Sequence, residues 1–287
     1  MKPAPFAYHA PDQLEEVLAL LGDRDHEVRL LAGGQSLVPM MNFRLAAPEV
    51  LVDLRRVGAL GQLGHDGDGT LTIGAGVRQS ALLRDPVVTE GWPLLTEGAR
   101  HIGHPQVRSR GTVCGSLAHH DPTAELPALA VALDARMVLA SASGTRELSA
   151  DEFFVSYYTV ALEPGEMLLE ARFPACPASA GWSFKEVARR RGDFALVGVA
   201  ALVEVGEDGA VSSARLVLCG VGERPFRALD AQNAIVSGAS FEEAGRLVSE
   251  AVTPLGSIHA SAEYRRECAG ELAARALSEA WERATGG

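Results

Sequence analysis

Positive charge is scarce in this chain. It carries 26 Lys and Arg against 37 Asp and Glu, a formal charge of −11, so it has no basic footprint to release counterions from a phosphate backbone. Nucleic acid is therefore excluded as a partner class. Cysteine is scarcer still: Cys114, Cys176, Cys219 and Cys268 lie far apart, with no C-x-x-C spacing. No iron–sulfur cluster or zinc site follows from such spacing, and most of these cysteines read as small buried apolar side chains. Any metal centre is expected on another chain.

Long apolar runs are missing too. None approaches the roughly 20 residues that a membrane span needs. The opening MKPAPFAYHAPD lacks the charged-then-apolar layout of a secretory signal. A cytoplasmic location is expected. The patterns G-x-G-x-x-G, G-x-x-x-x-G-K-S/T and G-x-S-x-G do not occur either, which removes support for the usual dinucleotide fold, the P-loop and the nucleophile elbow of hydrolases.

What is present is enough apolar sequence for a proper core, 47% hydrophobic against 22% charged over 287 residues, a length that suits two compact units. Leu14, Val17, Leu18 and Leu21 recur at helical spacing between Asp12 and Gly22. A strand, residues 28–31, then runs into Ala32-Gly33-Gly34-Gln35-Ser36 and a second helix carrying Leu37, Met40 and Met41. Further strands are expected over 49–54, 70–76, 136–140 and 167–173, and helices over 92–102 and from beyond Pro122 to about Leu133. The proline-rich stretch 174–181 marks the boundary between two units. Beyond it come longer strands, 182–189, 195–205 and 211–221, with a hairpin turn at Glu207-Asp208-Gly209, then two helices, the last over 262–284. The second unit is expected to be an antiparallel sheet with helices on one side.

Two glycine-containing loops carry the chemistry. Without a Cβ, Gly33 and Gly34 let backbone N–H groups converge on a ligand, and such a nest at a helix start suits phosphate. Ser36 offers a hydroxyl contact or a helix cap. Alone, such a turn is more often a plain connection. The second loop, Gly111-Thr112-Val113-Cys114-Gly115-Ser116-Leu117, repeats the chemistry, with hydroxyls on Thr112 and Ser116. Two nests from distant parts of one chain fit a pyrophosphate held from both sides, whereas a mononucleotide needs one. His119-His120-Asp121 does not make a metal site, because neighbouring side chains on a strand or helix diverge. Arg189, Arg190 and Arg191 read as a solvated cationic edge.

The segments 32–37 and 111–117, followed by Asp121-Pro122-Thr123-Ala124-Glu125-Leu126-Pro127, resemble the paired FAD motifs of the medium subunits of carbon monoxide dehydrogenase and xanthine dehydrogenase, the molybdenum hydroxylase family. The likeness runs on through Phe184-Lys185, Arg191-Gly192-Asp193-Phe194-Ala195 and residues 261–266. It implies an α+β fold: a vanillyl-alcohol-oxidase-type (PCMH) FAD-binding domain over 1–176, with lobes of about 1–57 and 58–176, and a smaller C-terminal α+β domain over 177–287. It implies one FAD, with Ala32, Gly33, Gly34, Gln35, Ser36 and Leu37, and Thr112, Val113, Cys114, Gly115 and Ser116, around its pyrophosphate. Ile102, His119, Glu125, Leu168 or Leu169, Lys185 and Asp193 are further implied contacts, Lys185 near the flavin N1–C2=O edge and Phe194 beside the isoalloxazine. No catalytic acid or base is implied. The partners implied are a large molybdenum-cofactor subunit and a small subunit with [2Fe-2S] clusters, in a dimer of heterotrimers. Cys114 departs from the family, which has a glycine there; either its backbone is not left-handed or the loop is remodelled. A self-sufficient flavin oxidoreductase and a non-enzymatic nucleotide-binding assembly protein are the alternatives. The first requires a proton-abstracting residue at the ring, the second an absence of bound flavin.

Overall fold

The computed structural model describes residues 2–286. Helix α1 (Leu14–Leu21) buries Val17 and keeps Glu15 and Glu16 in its first turn, where the helix dipole favours them. Strands β1 (Ala7–His9), β2 (Val28–Leu31) and β3 (Val50–Asp53) form a sheet of order β1-β3-β2 in which both pairs are parallel. The parallel pairing of β2 and β3 requires a crossover, which contains α2 (Leu37–Asn42). The glycine-containing loop 32–36 is the start of that crossover.

A second sheet is antiparallel throughout, in the order β4-β5-β10-β6-β7. Its members are β4 (Leu63–His65), β5 (Leu71–Gly74), β6 (Arg136–Ser141), β7 (Gly144–Ser149) and β10 (Met167–Phe173), while β8 (Phe154–Ser156) and β9 (Thr159–Val160) make a separate ribbon. Between β5 and β6 lie α3 (Pro86–Gly91), α4 (Pro93–Ala99), α5 (Pro105–Arg108), α6 (Val113–His119) and α7 (Glu125–Ala132), and α8 (Ala150–Phe153) follows β7. Every residue of α7 is buried, so it lacks the polar face of a surface helix. Fully buried Leu126 and Leu129 each contribute about 1.5–3 kcal/mol.

The third sheet joins β11 (Gly181–Ala188), β12 (Ala195–Val205), β13 (Val211–Cys219) and β14 (Phe226–Arg227) in sequential antiparallel order. Helices α9 (Leu229–Val236), α10 (Phe241–Ala251) and α11 (Ala262–Ala284) complete the chain. Strand alternation gives this sheet two apolar faces. Val197, Val199, Ala201, Leu216 and Leu218 pack with the C-terminal helices, whereas Phe184, Ala200, Leu202, Val217 and Cys219 join the core of the N-terminal part. Among the described residues, no helix is long and apolar enough to cross a membrane.

Three expected elements are corrected, the first being the helices after the last strands, which among the described residues are three and not two. The helix expected over 92–102 stops at Ala99, and the chain then turns through a left-handed Gly103. The second glycine loop is only partly a loop, because from Val113 onward it is helix α6.

Candidate cofactor site

The two glycine-containing loops meet. A Cβ placed on Gly33 would fall 2.5 Å from the Arg110 carbonyl oxygen and 2.6 Å from the Gly111 Cα, so only glycine allows this approach. One placed on Gly115 would lie 3.6 Å from the Cβ of Ala32, an ordinary contact. Gly34 adopts a φ of 70°, which directs the next amides around the turn. Among the described residues, the N–H groups of Gly33, Gly34, Gln35, Ser36 and Leu37 donate no hydrogen bond, and neither does that of Cys114. Unpaired backbone donors at this density need an acceptor from outside the chain or from water. Five amides in sequence, joined by one from the facing loop, suit the oxygens of a diphosphate.

Neighbouring backbone holds the second loop still. Gln79 N–H donates to the Gly111 carbonyl at 2.9 Å and Val113 N–H to the Val77 carbonyl at 3.0 Å. The Arg78 guanidinium donates to the Arg110 carbonyl. Thr112 caps α6, its Oγ1 accepting from Gly115 N–H at 3.1 Å. The Thr112 hydroxyl is therefore committed to the helix, whereas the Ser36 hydroxyl makes no cap and is available. Gln35 folds back, donating from Nε2 to the Gly33 carbonyl at 3.1 Å.

Cys114 lies in the first turn of α6 and is not left-handed, which settles its departure from the family glycine without remodelling. Its side chain points inward: Sγ lies 3.3 Å from the Ile73 carbonyl, and burial pushes the thiol up to about 12. Val113 is likewise turned into the core. These two positions contribute backbone to the site and not side chain.

A second cluster adjoins the first. Arg108, in the turn ahead of Arg110, donates from Nη1 to the carbonyls of Ile102 at 2.6 Å and Gly103 at 3.0 Å. Gly192 lies against His104 and Gly103, which brings the 190–194 turn to the same rim. Asp193 closes that turn with an N–H bond to the Arg190 carbonyl at 3.0 Å, and Phe194 is 71% exposed. Glu125, at the start of α7, is buried and its carboxyl is pushed up to about 8. His119, at the end of α6, stacks on Tyr158 with ring centroids 5.3 Å apart, and burial lowers its pKa. Leu168 is buried at a bulge in β10, and the Leu169 carbonyl accepts from Ala75 N–H at 2.8 Å, next to the segment that braces the second loop.

Lys185 is turned toward α11. It pairs across the sheet with Val199, on the face covered by the C-terminal helices, and its ammonium pairs with Glu279 of α11. Alternation puts Glu186 on the opposite face, toward Glu125 and His101. Sequence reading passed over Glu186, Arg108 and Gln79. The signal for Glu186 was its place beside Lys185 in a strand; Arg108 and Gln79 had none, because they act through backbone carbonyls. A concavity of about 570 Å³, lined in part by Gly61, Arg78, Arg84 and Asp85, contains none of the residues named for the cofactor.

Residues 4–176 match the family model for the FAD binding domain in molybdopterin dehydrogenase, and residues 182–280 match the CO dehydrogenase flavoprotein C-terminal domain. The chain is 38% identical to the 6-hydroxypseudooxynicotine dehydrogenase complex subunit alpha of Paenarthrobacter nicotinovorans, over 99% of this chain and 97% of that one. It is 37% identical to the carbon monoxide dehydrogenase medium chain of Hydrogenophaga pseudoflava, over 99% of each. Solved structures of carbon monoxide dehydrogenase from H. pseudoflava and of quinoline 2-oxidoreductase from Pseudomonas putida 86 superpose with TM-scores of 0.95 and 0.94, each at 38% identity over 99% of both chains. The chain belongs to the family of FAD-binding medium subunits of molybdenum-containing dehydrogenases.

Proposed function

We propose that this chain binds one FAD between the loops 32–37 and 112–116 and serves, in the cytoplasm, as the electron relay of a molybdenum hydroxylase. A large partner subunit would hold the molybdenum cofactor and oxidise the substrate, and a small one would pass electrons through [2Fe-2S] clusters to this chain. Bound FAD supplies a centre that accepts two electrons and releases them to an external acceptor. The chain's own residues position it. The amides of Gly33 to Leu37 and of Cys114 bind the diphosphate, the Ser36 hydroxyl adds a donor, and Ile102, Glu125 and Phe194 line the approach of the ring. On this reading, residues 1–176 form the FAD-binding domain, with lobes of about 1–57 and 58–176, and residues 177–287 the C-terminal domain.

The observation that carries the reading is the contact of Gly33 with Arg110 and Gly111, which brings a run of five unpaired amides and one from the facing loop into one cradle. The purified chain should take up FAD in a 1:1 ratio, and Gly33→Val should abolish uptake. Purified from its native source, the protein should bring with it two further chains, molybdenum and iron. A flavin-free homo-oligomer would reject both parts of the proposal.

A further inference from the structure

Cross-strand register places Glu186, Gly198 and Cys219 side by side on one face of the third sheet. Helix α7, which begins at Glu125, packs on strands β12 and β13. Gly198 opens the seam, since a Cβ there would fall 2.6 Å from the Cys219 sulfur. Two carboxyls project into it. Glu125 is 6% exposed, and its carboxyl has no hydrogen-bonding neighbour beyond its own amide. The Glu186 side chain is 4% exposed; its Oε2 is buried without a partner, and its Oε1 lies 3.8 Å from His101 Nδ1. Arg108 is the nearby cation, but its Nη1 is spent on the carbonyls of Ile102 and Gly103. Asp121, ahead of α7, adds negative charge, and burial above all holds the Cys219 thiol neutral.

Two carboxylates in one water-poor seam cannot both ionise cheaply, so one keeps its proton. Burial first, and then the charge of Glu186, push Glu125 from the ordinary 4.5 up to about 8, with Arg108 opposing. An ionised Glu125 would also place a negative charge beside a cofactor that already carries a diphosphate.

We propose that Glu186 holds Glu125 in its neutral acid form, so that Glu125 meets FAD as a hydrogen-bond donor. This rests on the placement of Glu125 at the cofactor put forward above. Glu186 acts through Glu125 and is a positioning residue. Its neighbour Lys185, turned to Glu279, leaves the seam without the ammonium that would otherwise neutralise the pair.

The test uses the full chain and the variants Glu125→Gln, Glu186→Gln and Glu186→Asp. In the FAD-free protein, infrared titration should find a protonated carboxyl band at neutral pH that disappears near pH 8, is absent in Glu125→Gln, and moves to lower pH in Glu186→Gln. Glu186→Asp, which keeps the anion, should restore the midpoint. FAD affinity should fall severalfold above about pH 8 in the parent, stay level in Glu125→Gln, and begin to fall at lower pH in Glu186→Gln. Absence of the band in the parent, or an unmoved midpoint in Glu186→Gln, would overturn the proposal. An FAD affinity that ignores pH in the parent would overturn the donor role even with the band present. A parent chain that binds no FAD at any pH would instead overturn the cofactor reading, and the donor role with it.

Discussion

Gly33 rests on the carbonyl oxygen of Arg110 so closely that a single added methyl carbon would lie 2.5 Å from it. That contact makes one site of two loops. Gly33→Ala must push the two backbones apart by at least about half an ångström, at a cost of about 1–3 kcal/mol for overpacking. Because the strain falls on the cradle, FAD affinity should drop at least roughly tenfold, as read by quenching of flavin fluorescence.

Thr112 fixes the first turn of α6 through the Gly115 N–H. Thr112→Ala should cost about 1 kcal/mol of stability in denaturant unfolding, and Thr112→Ser should recover most of it. Both effects should appear in the FAD-free chain.

Cys114 should resist thiol reagents in the native protein. Its thiol is buried and pushed up to about 12, so the reactive thiolate is scarce until the chain unfolds. Cys114→Gly, the family residue, should destabilise by about 1–2 kcal/mol through a glycine in the first helical turn and a lost core side chain, and should leave FAD affinity unchanged. Differential scanning calorimetry and flavin titration separate the two.

Arg265, buried on α11, donates from Nη1 to the Leu196 carbonyl at 2.5 Å and the Gly220 carbonyl at 3.2 Å, and from Nη2 to the Ser257 hydroxyl at 3.2 Å. Arg265→Ala strands these acceptors and should cost roughly 2–4 kcal/mol in urea unfolding.

Stability should fall with rising pH in one defined window. Glu125 has a folded pKa raised from 4.5 to about 8, so its neutral form is the folded one. Its contribution is complete below about 4.5, is lost progressively as pH rises, and is gone above about 8. Equilibrium unfolding of the FAD-free chain across this window should show the slope, and Glu125→Gln should remove it.

Periodicity and turn residues made the long elements legible. Strands β10 and β12 and helices α1 and α11 were read with the bounds they have in the structure, because each is long or strongly patterned and flanked by breakers. Strand β1, three exposed residues held by pairing with β3, carries no local signal at all. Helix α6 read as a loop because its glycine and β-branched residues oppose helix; the Thr112 cap and burial of Val113, Cys114 and Leu117 override them. In the site, Gly33 and Gly34 were recognisable as residue types, but their contact with Arg110 depends on how separate segments fold together. The choice between Lys185 and Glu186 depends on strand register, and a resemblance at the level of residues is silent about which way a side chain turns.

The sheet of β11 to β13 is a wall shared by two rooms. Phe184, Leu202 and Val217 furnish the N-terminal core, while Val199, Val203 and Leu218 furnish the C-terminal one. Neither side can be cleared without stripping the other's lining. Heating should therefore take both parts down in a single transition, and a fragment cut at the proline-rich junction would bring a bare apolar flank into water and precipitate.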